Sequence, residues 1–253
     1  MTGAPERPPR ILAIAGSDSS GGAGVQADIK PITMLGGYAM TAITALTAQN
    51  TRGVNAISPC EPDFVAAQMD ACMADIGVDA VKIGMLGSAD IAEVVADRLE
   101  DLPCPIVFDP VMVATSGSVL ADEATVEVFE WLMELATLTT PNVPELEALG
   151  GAEAMAKRGI AYLAKGGDAD GPMVEDRLVR PGHDDTVWNE ARIVTKHTHG
   201  TGCTLSSAIA THLARGLPME EAVGEARRFV REALKAAPGF GFGNGPLGHH
   251  AVR

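Results

Sequence analysis

Six consecutive residues, His199-Gly200-Thr201-Gly202-Cys203-Thr204, place two glycines, two hydroxyls and a thiol at the head of a helical run carrying Leu205, Ala208, Ile209 and Leu213. The first turn of a helix has unpaired N–H groups and a partial positive charge, so it can hold an anion without Lys or Arg. Gly200 and Gly202 let the backbone approach a phosphate closely and adopt conformations closed to other residues. A phosphate site is the natural inference; the plainer alternative is a structural turn capped by Thr201 or Thr204. At the same helix start, the dipole would stabilise a Cys203 thiolate, lowering its pKa and suiting it to act as a base or nucleophile.

Other segments carry chemistry of the same kind. Gly16-Ser17-Asp18-Ser19-Ser20-Gly21-Gly22-Ala23-Gly24 joins an apolar strand to a helix. It has neither the Lys of a Walker A loop nor the G-x-G-x-x-G spacing, which leaves a small substrate against bare backbone or a plain connection. Asn142-Val143-Pro144-Glu145 sets an amide and a carboxylate three residues apart after a strand, on one side of a helical turn. Mg²⁺ takes few carboxylates, several waters and phosphate oxygens, so Glu145 together with the post-strand Asp109 would suffice. Lys165, ahead of Gly166-Gly167, suits pairing with phosphate charge.

These residues need elements to hold them. Apolar β-prone runs at Ile11–Ala15, Ala80–Ile83, Ile106–Phe108, Leu138–Thr140 and Ala161–Ala164 alternate with helical periods at Ala23–Leu35, Pro62–Ile76, Ala89–Leu99, Asp122–Leu135, Gly202–Arg215 and Met219–Lys235. That alternation predicts a mostly parallel sheet wrapped by helices, with a hairpin over Val174–Ile193. In the second helix Val65, Met69, Cys72, Met73 and Ile76 form one apolar stripe and read as core. If the strands are parallel, Gly16, Met85, Asp109, Asn142 and Lys165 converge on the rim outside their carboxyl ends.

The 253 residues carry a formal charge of -14, which argues against a surface for nucleic acid or for an anionic membrane. No apolar stretch is long enough to span a bilayer, and the first ten residues lack a signal-peptide core, so a cytoplasmic protein is expected. Cys60, Cys72, Cys104 and Cys203 have no C-x-x-C spacing and are expected to stay reduced. With no linker composition inside it, 1–253 reads as a single domain, with 1–9 and 239–253 as flexible ends.

Eight strings, in order, carry a family likeness: AGSDSSGGAGVQADIK, ITALTAQNTRGV, EPDFVAAQ, KIGMLG, FDPVMVATSG, TPNVPE, KGGD and KHTHGTGCTLSSAIA. Together they resemble the ribokinase-like superfamily and, within it, the hydroxymethylpyrimidine/phosphomethylpyrimidine kinases of thiamin biosynthesis. The resemblance implies a ribokinase-like three-layer α/β sandwich and ATP- and Mg²⁺-dependent phosphorylation of 4-amino-5-hydroxymethyl-2-methylpyrimidine, then of its monophosphate. It implies that the pyrimidine lies against Gly16, Ala23, Met85 and Val111, with Gln49 and Asp28 as polar readers. Gly200, Thr201, Gly202 and Cys203 would form the anion hole, with Cys203 as candidate base. Asp109 and Glu145 would hold Mg²⁺, while Asn142, Lys165 and Thr201 would face the nucleotide. A homodimer is also implied. The chain departs from typical members between Glu145 and Lys165, where Gly150-Gly151 and Gly159 interrupt a shortened stretch.

Three other readings compete. A pyridoxal-type kinase of the same superfamily is disfavoured by Ala114, where some cysteine-bearing pyridoxal kinases have a second cysteine. A metal site built from His197, His199 and Cys203 leaves the intervening glycines unexplained. A catalytically silent binder leaves Cys203, Lys165 and Glu145 unexplained. His183, His212, His249 and His250 read as surface or tail positions.

Overall fold

The computed structural model describes residues 7–114, 117–167 and 170–252. Thr115 and Ser116 of the FDPVMVATSG string, Asp168 of KGGD, and residues 1–6 of the expected loose N-terminus lie outside them.

Among the described residues, the strands β1 (Arg10–Asp18), β2 (Tyr38–Asn50), β3 (Gly53–Pro59), β4 (Ala80–Ile83), β5 (Ile106–Phe108), β6 (Leu138–Thr139), β7 (Tyr162–Ala164), β8 (Met173–Val179) and β9 (Thr186–Ala191) join one sheet. Its order is β3-β2-β1-β4-β5-β6-β7-β8-β9. β2, β1 and β4 to β7 run parallel, while β3 at one edge and β8 and β9 at the other are antiparallel. The β8–β9 pair is the expected hairpin.

The period-two alternation of β1 builds the layers. Leu12 and Ile14 pack with Val65 of α2 (Pro62–Ala71), Ile91 of α3 (Ala89–Leu99) and Phe129 of α4 (Glu123–Leu135). Ile11 and Ala13 point to the opposite face, with Ile32 of α1 (Gly24–Met34), Ile209 of α7 (Thr201–Ala214) and Ala226 of α8 (Met219–Lys235). Two apolar clusters, one on each face of the sheet, make the three-layer sandwich.

Four expectations need correction. No element is predicted over 36–61, yet β2 and β3 lie there, because TAITALTAQN lacks the hydrophobic contrast that marks a half-buried strand. The helix expected over Pro62–Ile76 changes to a wider π turn at Cys72–Ile76; Val65 and Met69 of its stripe are buried, and Cys72, Met73 and Ile76 pack at the core's margin. The shortened stretch holds two helices, α5 (Val143–Ala148) and α6 (Gly151–Arg158), divided where Gly150 and Gly151 take φ of 92° and 74°. Part of the tail packs on the fold: Leu247 and His249 are buried and Gly243 N donates to Thr51 Oγ1 at 3.2 Å, while Phe240 and Phe242 are exposed.

Candidate active site

Because β1, β4, β5, β6 and β7 are parallel, the residues after them share one edge of the sheet. There a cavity of about 900 Å³ is lined by Gly16, Ala23, Gln49, Met85, Val111, Asp109, Asn142, Glu145, Lys165 and Gly200 to Cys203. Every site residue expected from the sequence is in that wall except Asp28. Asp28 is completely buried behind it, paired with Lys82 of β4 at 2.9 Å and accepting from Ser207 Oγ of α7 at 2.8 Å. It is no polar reader of a ligand in this cavity. It satisfies the Lys82 ammonium inside the α1–β4–α7 layer, where an unpartnered charge would be strongly destabilising. Burial alone would lower the Lys82 pKa, but Asp28 overcomes that and raises it.

α7 begins at Thr201, with Gly200 as a left-handed cap at φ 83° and no side chain capping the turn. The N–H groups of the first turn are those that a helix leaves without intrahelical acceptors. A Cβ on Gly200 would lie 1.9 Å from the Gly22 carbonyl oxygen, so the two glycine turns are in direct backbone contact. Gly202 sits beside the charged centre: its Cβ would be 3.2 Å from Asp109 Oδ2 and 3.5 Å from Lys165 Nζ.

Lys165 Nζ donates to Asp109 Oδ1 at 2.7 Å and lies 3.9 Å from Glu145 Oε2. Thr140 Oγ1 donates to the same Asp109 oxygen at 3.1 Å. Asn142 and Glu145 form a capping box at α5: Asn142 Oδ1 accepts from Glu145 N, and Glu145 Oε2 accepts from Asn142 N, both at 2.8 Å. The N-x-x-E spacing is thus a helix start that aims a carboxylate into the cavity. Burial pushes the Glu145 carboxyl up to about 7, with nearby Asp109 adding to the shift and Lys165 opposing it.

That shift predicts a pH-dependent stability. A carboxyl with a folded pKa near 7 and an ordinary value of 4.5 is stabilising below the lower value, and the contribution is lost as pH rises through the upper one. Glu145→Gln keeps the capping box and removes the charge. Without divalent cation it is expected to be more stable than wild type at pH 8, by on the order of 1–3 kcal/mol, and equal to it at pH 4. Thermal melts at the two pH values check this; the same difference at both would contradict it.

Cys203 departs from expectation. Burial pushes its thiol up to about 11; the Asp28 and Asp109 carboxylates add to the shift, while Lys82 and the Gly24 N–H oppose it. Desolvation beside two carboxylates outweighs the helix dipole, so the resting thiol is protonated at neutral pH. Iodoacetamide at pH 7 is expected to leave Cys203 almost unlabelled, with labelling rising toward pH 11, as read by peptide mass mapping. Full labelling at pH 7 would restore the low-pKa thiolate.

Two wall residues, Asp18 and His199, had no part in the kinase site expected from the sequence. Asp18 accepts from Ser20 N at 2.8 Å, Gly22 N at 3.1 Å and Ala23 N at 2.8 Å, which closes the first glycine turn around its carboxylate. His199 Nε2 lies 2.8 Å from Asp18 Oδ2 and joins that turn to the Gly200–Cys203 turn. Burial alone would raise the Asp18 carboxyl, but hydrogen bonds from His199, Ser20 and Ala23 prevail and hold it at about 2. The Asx-like placement of Asp18 before Ser20 was the available signal; its pairing with His199, 181 positions away, had none. Among the described residues, no group of three or more His, Cys, Asp or Glu is placed to hold a metal, so His197, His199 and Cys203 do not form the rival site.

The fold is shared with solved structures. A pyridoxal kinase from Bacillus subtilis, solved as an ADP complex, superposes with a TM-score of 0.87 at 32% identity, covering 98% of this chain and 99% of that one. A phosphomethylpyrimidine kinase from Clostridium difficile gives a TM-score of 0.76 at 37% identity, covering 89% of this chain and 99% of that one. Fold and cavity together define a ribokinase-like α/β protein with a glycine turn at the start of α7.

Within that class, the chain belongs to the phosphomethylpyrimidine kinase family, whose model matches residues 18–248. It is 44% identical to a hydroxymethylpyrimidine/phosphomethylpyrimidine kinase of Rhizobium meliloti over 94% of this chain and 96% of that protein. It is also 44% identical to a thiamine biosynthesis bifunctional protein of Geobacter sulfurreducens, of which it spans 52%. It spans 35% of a multifunctional relative from Corynebacterium efficiens.

Proposed function

We propose that this chain transfers a phosphoryl group from ATP to the hydroxymethyl of 4-amino-5-hydroxymethyl-2-methylpyrimidine and then to the resulting monophosphate. One observation carries the reading: a single cavity places the anion turn Gly200–Cys203, the Lys165–Asp109–Glu145 cluster and the Gly16–Ala23–Gln49–Met85 wall together. Phosphoryl transfer needs alignment and charge neutralisation more than covalent help, and this wall offers both.

The donor set fits Mg²⁺. Asp109 and Glu145 are two buried carboxylates that lie 2.7 and 3.9 Å from Lys165 Nζ in the cavity wall, the few hard oxygen donors that Mg²⁺ takes alongside waters and phosphate oxygens. When bound, Mg²⁺ would neutralise charge on the phosphates being split. Lys165, held by Asp109, presents its ammonium to that charge, and the backbone N–H of Asn142 donates to the Glu145 carboxylate and keeps it in place. The backbone N–H groups of Gly202 and Cys203 receive the transferred phosphoryl oxygens, while the Thr201 N–H closes the turn on the Thr198 carbonyl. On the acceptor side, Gln49 offers both a donor and an acceptor to the aminopyrimidine edge, with Gly16, Ala23, Met85 and Val111 as the apolar walls. Cys203 stands at the junction as a neutral thiol, a protonated neighbour of the accepting hydroxyl.

The chain acts in this reading as a homodimer in the cytosol. β3 ends the sheet with an unpaired edge, and Leu46, Ile57 and Phe64 are exposed in the β2–β3–α2 region. No helix among the described residues is long and apolar enough to cross a membrane, and the four cysteines are free.

Pyridoxal kinase activity is the second reading, favoured by the superposition on the Bacillus subtilis enzyme. A coupled ADP-release assay with Mg-ATP decides between the substrates. Faster turnover of the hydroxymethyl pyrimidine is expected; faster turnover of pyridoxal would overturn the assignment.

A further inference from the structure

The C-terminal segment has no part in the chemistry above, yet it touches both ends of the anion turn. On the near side, His199 N donates to the Gly245 carbonyl at 3.1 Å, and His199 and Pro246 pair in a parallel bridge. On the far side, His249 Nε2 lies 2.8 Å from Thr204 Oγ1. Thr204 Oγ1 also donates to the Gly200 carbonyl at 2.7 Å, so its hydroxyl bridges the imidazole and the turn. Between these contacts Leu247 is buried, and Gly248 N donates to Ala233 O at 2.9 Å. A Cβ on Gly248 would fall 1.9 Å from Ala236 O, so the segment seats flush on α8. His249 is 3% exposed, lies 6.4 Å from Phe229 ring to ring, and is held neutral by its burial.

The planar peptide unit links these contacts to the site. Its C=O and N–H point in opposite directions. Thr204 N at 2.9 Å and Thr204 Oγ1 both draw the Gly200 carbonyl into the body of α7. The N–H of the next residue, Thr201, points the other way and donates to the Thr198 carbonyl at 3.3 Å, which closes the turn ahead of the Gly202 and Cys203 N–H groups that a helix start leaves over for an anion.

We propose that His249 is a positioning residue for this turn: by bonding Thr204 it fixes the direction of the Gly200–Thr201 peptide, and the C-terminal segment becomes part of the phosphate-binding apparatus. The inference rests on the kinase reading for its effect on turnover and on geometry alone for its effect on the turn. In the full chain, His249→Leu and Thr204→Val are each expected to lower kcat roughly 10- to 100-fold, with KM for the pyrimidine changed less than about threefold. The double variant is expected to be no worse than the poorer single one, because both break the same chain of bonds. His249→Gln, whose amide can donate from nearly the same place, recovers most of the rate.

Amide hydrogen exchange at Thr201 to Cys203 supplies a readout independent of turnover, and it is expected to speed up at least tenfold in His249→Leu. Unchanged exchange, additive effects in the double variant, or a lower melting temperature with wild-type kcat would each overturn the positioning role. Wild type without kinase activity would sink the kinase reading instead, while the exchange comparison still decides the role of His249.

Discussion

Lys165→Met is expected to lower kcat by about 10²- to 10³-fold while leaving KM for the pyrimidine near its wild-type value. The magnitude is that of removing one preorganised charged donor from a site where charge develops in the transition state. The direction follows from placement: the Lys165 ammonium is 2.7 Å from Asp109 and 3.9 Å from Glu145, in the part of the cavity proposed to hold the phosphates. Its side chain is 15% exposed, so little water is present to replace it. Methionine keeps the length of the chain and removes the charge. Without the ammonium, Glu145 loses the partner that opposes its raised pKa and holds its proton to still higher pH. Steady-state kinetics with each substrate varied in turn checks the result; a kcat within about fivefold of wild type would remove Lys165 from the chemistry.

The second large effect is expected at Gly200. Its φ of 83° strains any residue with a Cβ by roughly 1–2 kcal/mol, and that Cβ would sit 1.9 Å from the Gly22 carbonyl oxygen. Neither party can yield alone, because Gly22 is held through its N–H by Asp18. Gly200→Ala is therefore expected to push the two glycine turns apart and lower kcat/KM by about 10²-fold, the usual loss from a displacement on the order of 1 Å. Gly224→Ala in α8 is the matched control: its Cβ meets nothing nearer than Trp188 Nε1 at 3.8 Å, and activity should be unaffected. Equal activity of the Gly200→Ala variant and wild type would show that the contact between the turns is dispensable.

Much of this site was legible in the sequence because it lies at strand ends. Asp109, Asn142 and Lys165 each follow a short apolar run, and a parallel sheet brings such positions to one edge whatever the lengths of the helices between them. The glycines of the two turns were readable for the same reason, as breaks in apolar periodicity. What remained hidden depends on contacts between distant segments. Asp28 was expected to read the ligand only because the family resemblance implied it; only the fold brings Lys82 to it, 54 positions away. Cys203 looked acidic because the helix dipole is a local property, whereas the burial that outweighs it is a property of the assembled core. β2 was missed because its alanines and threonines pack well between neighbours without showing much apolar contrast. His249 read as a tail residue because nothing in GNGPLGHH announces that Gly248 lies flush on α8 and that the imidazole reaches Thr204.

The central claim is that this cavity phosphorylates one pyrimidine twice. Mass spectrometry of the products formed from 4-amino-5-hydroxymethyl-2-methylpyrimidine and Mg-ATP tests it most directly. The expected result is a monophosphate that accumulates first and a diphosphate that grows at its expense, with both absent in the Lys165→Met variant over the same interval. No phosphorylated pyrimidine from the wild type, alongside pyridoxal 5′-phosphate in a parallel reaction with pyridoxal, would contradict it.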